Sequence, residues 1–154
     1  MIAEMLERAK TNCKKGGYRN VEFRLGEIEN MPVADNTADI IISNCVINLS
    51  PDKQRVFKEA YRVLKPNGRL MISDMVLVKE LPEKVKSSVL AYVGCIAGAD
   101  MKKDYLNKIK QAGFGKVEVV EENHLPEMIL EEPAVKAFVE EKQLSKTEIA
   151  EISN

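Results

Sequence analysis

Ile40, Ile41 and Ile42 form an unbroken β-branched run between the turn-rich stretch ENMPVADNTAD and the segment Ser50–Pro51–Asp52. Such a run suits a strand buried on both faces, which is the environment of a parallel sheet. Parallel strands need a crossover between them, usually a helix, so the segment after the run decides the fold class. That segment opens with a helix start: Ser50 offers a capping hydroxyl, Pro51 suits the first helical position, and Asp52 places an acid near the positive end of the helix dipole. Val56, Phe57, Ala60, Tyr61 and Leu64 then recur at helical spacing as an inner face. KPNG ends that helix, because proline cannot continue the hydrogen-bond ladder and Asn-Gly is turn chemistry. RLMISDMVLV reads as the next apolar strand.

The same alternation extends to either side. Ile2, Met5, Leu6, Ala9 and Cys13 share one face of an opening helix, which Gly16 and Gly17 stop. At the centre of that stripe, Cys13 reads as a small core residue. Val21, Phe23 and Leu25 alternate with polar residues, as in a half-buried strand from Val21 to Gly26. Helices are expected over about Pro82–Ile96 and about Met101–Ala112, the second closed by Gly113, and a last clear strand over Lys116–Val120. Pro133–Glu141 has a helical pattern, and Ser145 with Glu148 matches a capping box. Strand and helix therefore alternate, which gives an α/β class with an open, mostly parallel sheet. At 154 residues, the chain (1–154) has the size of a single domain.

Charge and composition exclude several classes. Lys plus Arg number 23 and Asp plus Glu number 24, a formal charge of −1, so neither nucleic acid nor an anionic membrane is a sequence-wide attractor. No apolar run approaches the roughly 20 residues that span a bilayer. MIAEMLERAK lacks the basic start and apolar stretch of a signal peptide, and three irregularly spaced cysteines make no disulfide framework. The expectation is a cytoplasmic protein with no nucleic-acid or membrane partner. His124, the single histidine, lies in an acidic polar stretch and is assigned no chemistry.

The stretch GEIENMPVADNTADIIISNCVINLSPDKQRVFKEAYRVLKPNGRLMISDMV resembles the class I S-adenosylmethionine-dependent methyltransferases. The continuation through AYVGCIAGA and YLNKIKQAGF narrows this to the arsenite methyltransferases, with SNCVINLSPDK the most specific segment. The resemblance covers roughly Ile2 to Glu121. It implies a Rossmann-like sheet with helices on both faces, S-adenosylmethionine as cofactor, arsenite as substrate and a thiol reductant as partner. Aligned on the family, Met1 falls just after the acid that holds the cofactor ribose. The expectation is therefore a domain truncated at its N-terminus, lacking strands one and two with their glycine-rich turn, and truncated at its C-terminus as well. Weak or absent cofactor binding is expected of such a chain. In the family those strands lie between Val21–Gly26 and Asp39–Asn44, so a rearranged sheet or a homodimer through exposed strand edges is expected.

The resemblance also implies site residues. Cys45 follows the isoleucine strand at its carboxyl end, where open parallel sheets place ligands, and it matches one arsenic-binding cysteine. Cys95 matches the second, and it projects from the edge of the apolar stripe of its expected helix, beside Gly94. Trivalent arsenic is soft and prefers thiolate sulfur, so two converging cysteines suit it. Without the family, the spacing favours the plainer reading of a small buried hydrophobe. Glu27 and Ile28 match the position that contacts the adenine ring, where a carboxylate accepts from the exocyclic amine and an aliphatic chain packs on the ring face. An exposed turn glutamate is the plain alternative for Glu27. Ser43 and Asn44 match the segment beside the cofactor's methionine portion. Asp74 interrupts an apolar strand as a buried or site-facing acid without an assigned role. Two other readings stay open: a non-catalytic thiol module that binds metalloid, and a methyltransferase for a small quinone-type molecule that makes both cysteines incidental.

Overall fold

The computed structural model of the protein describes residues 3–80 and 98–123. The element order is α1 (Ala3–Lys15), β1 (Ala38–Asn44), a 3-10 turn (Ile47–Leu49), α2 (Lys53–Val63), β2 (Leu64–Ser73) and α3 (Lys102–Gln111). β1 and β2 pair in parallel across the α2 crossover, with Ile41 opposite Leu70, Ile42 opposite Met71 and Asn44 opposite Ser73. The open parallel α/β class expected from the sequence is what forms. The helix expected over Pro82–Ile96 and those expected after Glu121 lie outside the described residues.

α2 carries the packing. Its Val56, Phe57, Ala60 and Val63 are buried, and Phe57 has no exposed surface. Val56 and Phe57 cluster with Ile47 and with the Tyr105, Ile109 and Ala112 side chains of α3 and its cap, while Leu70 and Ile72 press on the cluster from the sheet. Asp52, and not Ser50, is the residue that caps α2: its carboxylate accepts the Arg55 N–H at 3.0 Å. Ser50 belongs to the preceding turn, where it donates to Glu29 and accepts the Asp52 N–H. Tyr61, read from spacing as an inner residue, is half exposed and packs edge-on against Phe114 at 5.3 Å. That contact lies over Gly113, whose φ of +116° and closeness to the Tyr61 ring both call for glycine.

Three further expectations need correction. The isoleucine run is not buried on both faces. Leu70 and Ile72 face the helices, whereas Ile42 is 77% exposed and Ile40 and Met71 are about half exposed. Neighbouring side chains point to opposite faces, and among the described residues the helical core covers only one of them. Val21–Gly26 and Lys116–Val120 form no strands, because neither finds a hydrogen-bonded neighbour in the two-stranded sheet of the described residues. Extended backbone with the right alternation becomes a strand only when a partner satisfies its N–H and C=O groups. Cys13 is not a core residue. Leu6 is the buried member of α1, and the half-buried Cys13 thiol donates to the Tyr18 carbonyl at 3.3 Å.

An ionic clamp fixes the approach to β1. Arg62 donates to Glu59 on its own helix, to Asp35 and to the carbonyls of Met31 and Val33, and Glu59 accepts the Met31 N–H at 3.0 Å. This holds the 31–35 loop to α2. The Arg62 guanidinium keeps the Glu59 carboxyl below the usual glutamate range.

Candidate functional site

The carboxyl ends of β1 and β2 point the same way, and Ser43, Asn44 and Cys45 stand together at that rim. The Cys45 N–H continues the ladder, donating to the Ser73 carbonyl at 2.8 Å. Its backbone then turns sharply, with φ of +53°, a left-handed conformation costing a side-chain-bearing residue on the order of 1–2 kcal/mol. The strand thus ends abruptly, the half-buried thiol stands at the rim, and the chain drops into the Ile47–Leu49 turn.

Beneath that turn lies a polar cluster. Asn48 has no exposed surface, yet its amide donates to Asp74 Oδ1 at 3.1 Å and to the Met75 carbonyl at 2.7 Å. The Tyr105 hydroxyl donates to the other Asp74 oxygen at 2.8 Å, and its ring stands edge-on to Phe57 with centroids 5.2 Å apart. Burial pushes the Asp74 carboxyl above the usual aspartate range, although hydrogen bonds and Lys53 oppose this. The Tyr105 phenol is pushed strongly upward, first by burial, then by the charge of Asp74 and its hydrogen bond, then by Asp100 and Cys45. A neutral, donating hydroxyl is therefore built in. Asp100 accepts from Lys108 at 2.6 Å and lies 3.5 Å from Lys53, closing the cluster on its α3 side.

Glu27 and Ile28 lie in a tight turn, with the Asn30 N–H donating to the Glu27 carbonyl at 3.1 Å. The Glu27 side chain is exposed, Ile28 is partly buried against the core cluster, and neighbouring Glu29 accepts from Ser50. That last bond joins this turn to the chain just beyond the Ile47–Leu49 turn. Cys95 lies outside the described residues, so its place relative to Cys45 is not described. Sequence reading assigned nothing to Asn48 or Tyr105. Asp74, the one signal, was visible as an acid in an apolar strand, but its partners come from distant segments. Among the described residues no group of three or more His, Cys, Asp or Glu side chains is placed to hold a metal ion, and no helix is long and apolar enough to cross a membrane.

A parallel α/β sheet of this kind belongs to the open-sheet class, in which ligands bind outside the carboxyl ends of the strands. The chain belongs to the methyltransferase-domain family, whose model matches residues 1–113. It is homologous to arsenite methyltransferases. That of Halobacterium salinarum is 45% identical over 129 residues, which is 84% of this chain and 33% of that protein. That of Mus musculus is 42% identical over 123 residues, 74% of this chain and 33% of that protein. The chain thus spans about a third of the length of these relatives. The crystal structure of an arsenic(III) S-adenosylmethionine methyltransferase from Chlamydomonas reinhardtii superposes with a TM-score of 0.74 at 34% identity, covering 92% of this chain and 49% of that one.

Proposed function

We propose that this chain acts in S-adenosylmethionine-dependent methyl transfer to trivalent arsenic, with Cys45 and Cys95 as the thiolates that hold it. The observation that carries this reading is Cys45 itself, a half-buried thiol held at the carboxyl rim of β1 in a chain homologous to arsenite methyltransferases. As each thiol replaces a hydroxyl of arsenous acid, an S–As bond forms and an As–O bond breaks. The thiol proton leaves with the hydroxyl as water. Sulfur ligation leaves arsenic electron-rich, and a thiol reductant keeps both cysteines able to ligate.

The donor set suits the cofactor. Exposed Glu27 offers acceptors to an exocyclic amine, Ile28 an aliphatic surface, and Ser43 and Asn44 groups that both donate and accept beside an amino-acid moiety. When bound, S-adenosylmethionine supplies an electrophilic methyl on its sulfonium. The arsenic lone pair is the nucleophile, so the chain needs no strong base; its task is to fix the arsenic's position at the rim.

Equilibrium dialysis of arsenite, with arsenic counted by mass spectrometry, tests the ligands. Cys45→Ser and Cys95→Ser should each weaken binding at least about tenfold, while Cys13→Ser leaves it unchanged. Unchanged binding in both site variants would remove the arsenical reading and favour an organic substrate. Binding that depends on both thiols, with no methyl transfer, would favour the non-catalytic module.

A homodimer through strand edges is supported by a separate observation. Among the described residues β1 is paired on its β2 side alone, and Ile40 and Ile42 are exposed. Light scattering should give twice the monomer mass, and Ile42→Lys should halve it.

A further inference from the structure

We propose that Asn48, Asp74 and Tyr105 are positioning residues that hold the Cys45 turn in its left-handed conformation at the rim of the sheet. The inference rests on the reading of Cys45 as an arsenic ligand and concerns how its thiol is held in place. A side-chain-bearing residue at φ of +53° persists only where its surroundings over-determine it. Two ties do so here, on adjacent residues leaving β2. At one end the Cys45 N–H is bound to the Ser73 carbonyl, and at the other Asn48 is bound to Asp74 and to the Met75 carbonyl. Asp74 is in turn anchored by the Tyr105 hydroxyl, and Tyr105 by the Phe57 ring. The thiol's placement is thereby referred back to the packing of α2 on α3, where the core cluster of the described residues lies.

Asn48 argues that this is a device of placement and not of stability. It is wholly buried, and its Oδ1 has no hydrogen-bond partner among the described residues. A buried, half-satisfied amide is unfavourable compared with an apolar side chain filling the same space. What an apolar residue cannot supply is the pair of directed bonds to Asp74 and Met75 that sets the turn's height against β2. The raised Asp74 carboxyl and the neutral Tyr105 hydroxyl fit the same picture, since a buried donor–acceptor chain defines one geometry.

The test uses the full chain carrying Cys13→Ser and Cys95→Ser, so that Cys45 is the sole thiol, and follows its alkylation by iodoacetamide under native conditions. Tyr105→Phe removes one hydrogen bond and keeps the ring; Asp74→Asn keeps the shape and removes the charge. In both folded variants the turn should loosen and alkylation should quicken by about threefold or more. In the three-cysteine background, capture of phenylarsine oxide should weaken although the thiol has become more accessible. Both readouts are taken without denaturant and far below each variant's unfolding midpoint, where faster alkylation reports loosening of the turn and not global opening. Rates equal to wild type in both folded variants, with or without a lower melting temperature, overturn the proposal. If the unaltered chain captures no phenylarsine oxide while both variants still alkylate faster, the arsenical reading fails and the positioning role stands.

Discussion

Replacing Phe57 with leucine probes the packing on which the rim depends. Phe57 is wholly buried and touches Tyr105 edge-on at 5.2 Å. Leucine buries on the order of 40 Å² less apolar surface, which at about 25 cal/mol/Å² is about 1 kcal/mol. Loss of the edge-to-face pair adds about 0.5–1.5 kcal/mol, so the sum is about 2 kcal/mol before any cavity cost. With a urea slope of roughly 2 kcal/mol/M, the unfolding midpoint should fall by about 1 M with an unchanged slope. A double-mutant cycle with Tyr105→Leu separates the ring pair from the burial, and its coupling energy should be about 0.5–1.5 kcal/mol. A midpoint shift below about 0.3 M, or a cycle that closes additively, would refute the picture of α2 and α3 locked through these two rings.

Three further outcomes are expected. Asp52→Ala removes the α2 cap and should cost about 1 kcal/mol in urea unfolding, and a neutral result would return the cap to Ser50. Gly113→Ala places a Cβ 2.9 Å from the Tyr61 ring at a φ of +116°, so the melting temperature should fall by several degrees, roughly the effect of 1–2 kcal/mol; an unchanged melting temperature sinks the left-handed assignment. Glu59 pairs with Arg62 and titrates below its unfolded value, so its contribution is present above that value and is lost as pH falls through the folded one. Glu59→Gln should therefore lose on the order of 1 kcal/mol at neutral pH and converge with wild type in acid; a constant difference across the acid limb contradicts the pairing.

Local chemistry made much of the fold legible before any coordinates. The isoleucine run and the spacing of Val56, Phe57 and Ala60 act over a few residues, so the first strand and the crossover helix are where the pattern puts them. The second strand, by contrast, spans Leu64–Ser73 and takes in Leu64 and the KPNG segment, expected as the end of the helix and a turn. Cys45 was legible as a residue at a strand's carboxyl end, because position in a parallel sheet follows from order in the chain.

Tertiary structure decided the rest. Val21–Gly26 and Lys116–Val120 have strand-like alternation and form no strand, because pairing is a property of a neighbour and not of the segment. The left-handed turn at Cys45 has no glycine to announce it. Asn48 and Tyr105 are unremarkable in the sequence, yet with Asp74 they form one hydrogen-bonded unit drawn from three separate segments. Propensity and periodicity are sums over near neighbours, whereas a buried polar contact depends on which distant segments the core brings within 3 Å of each other.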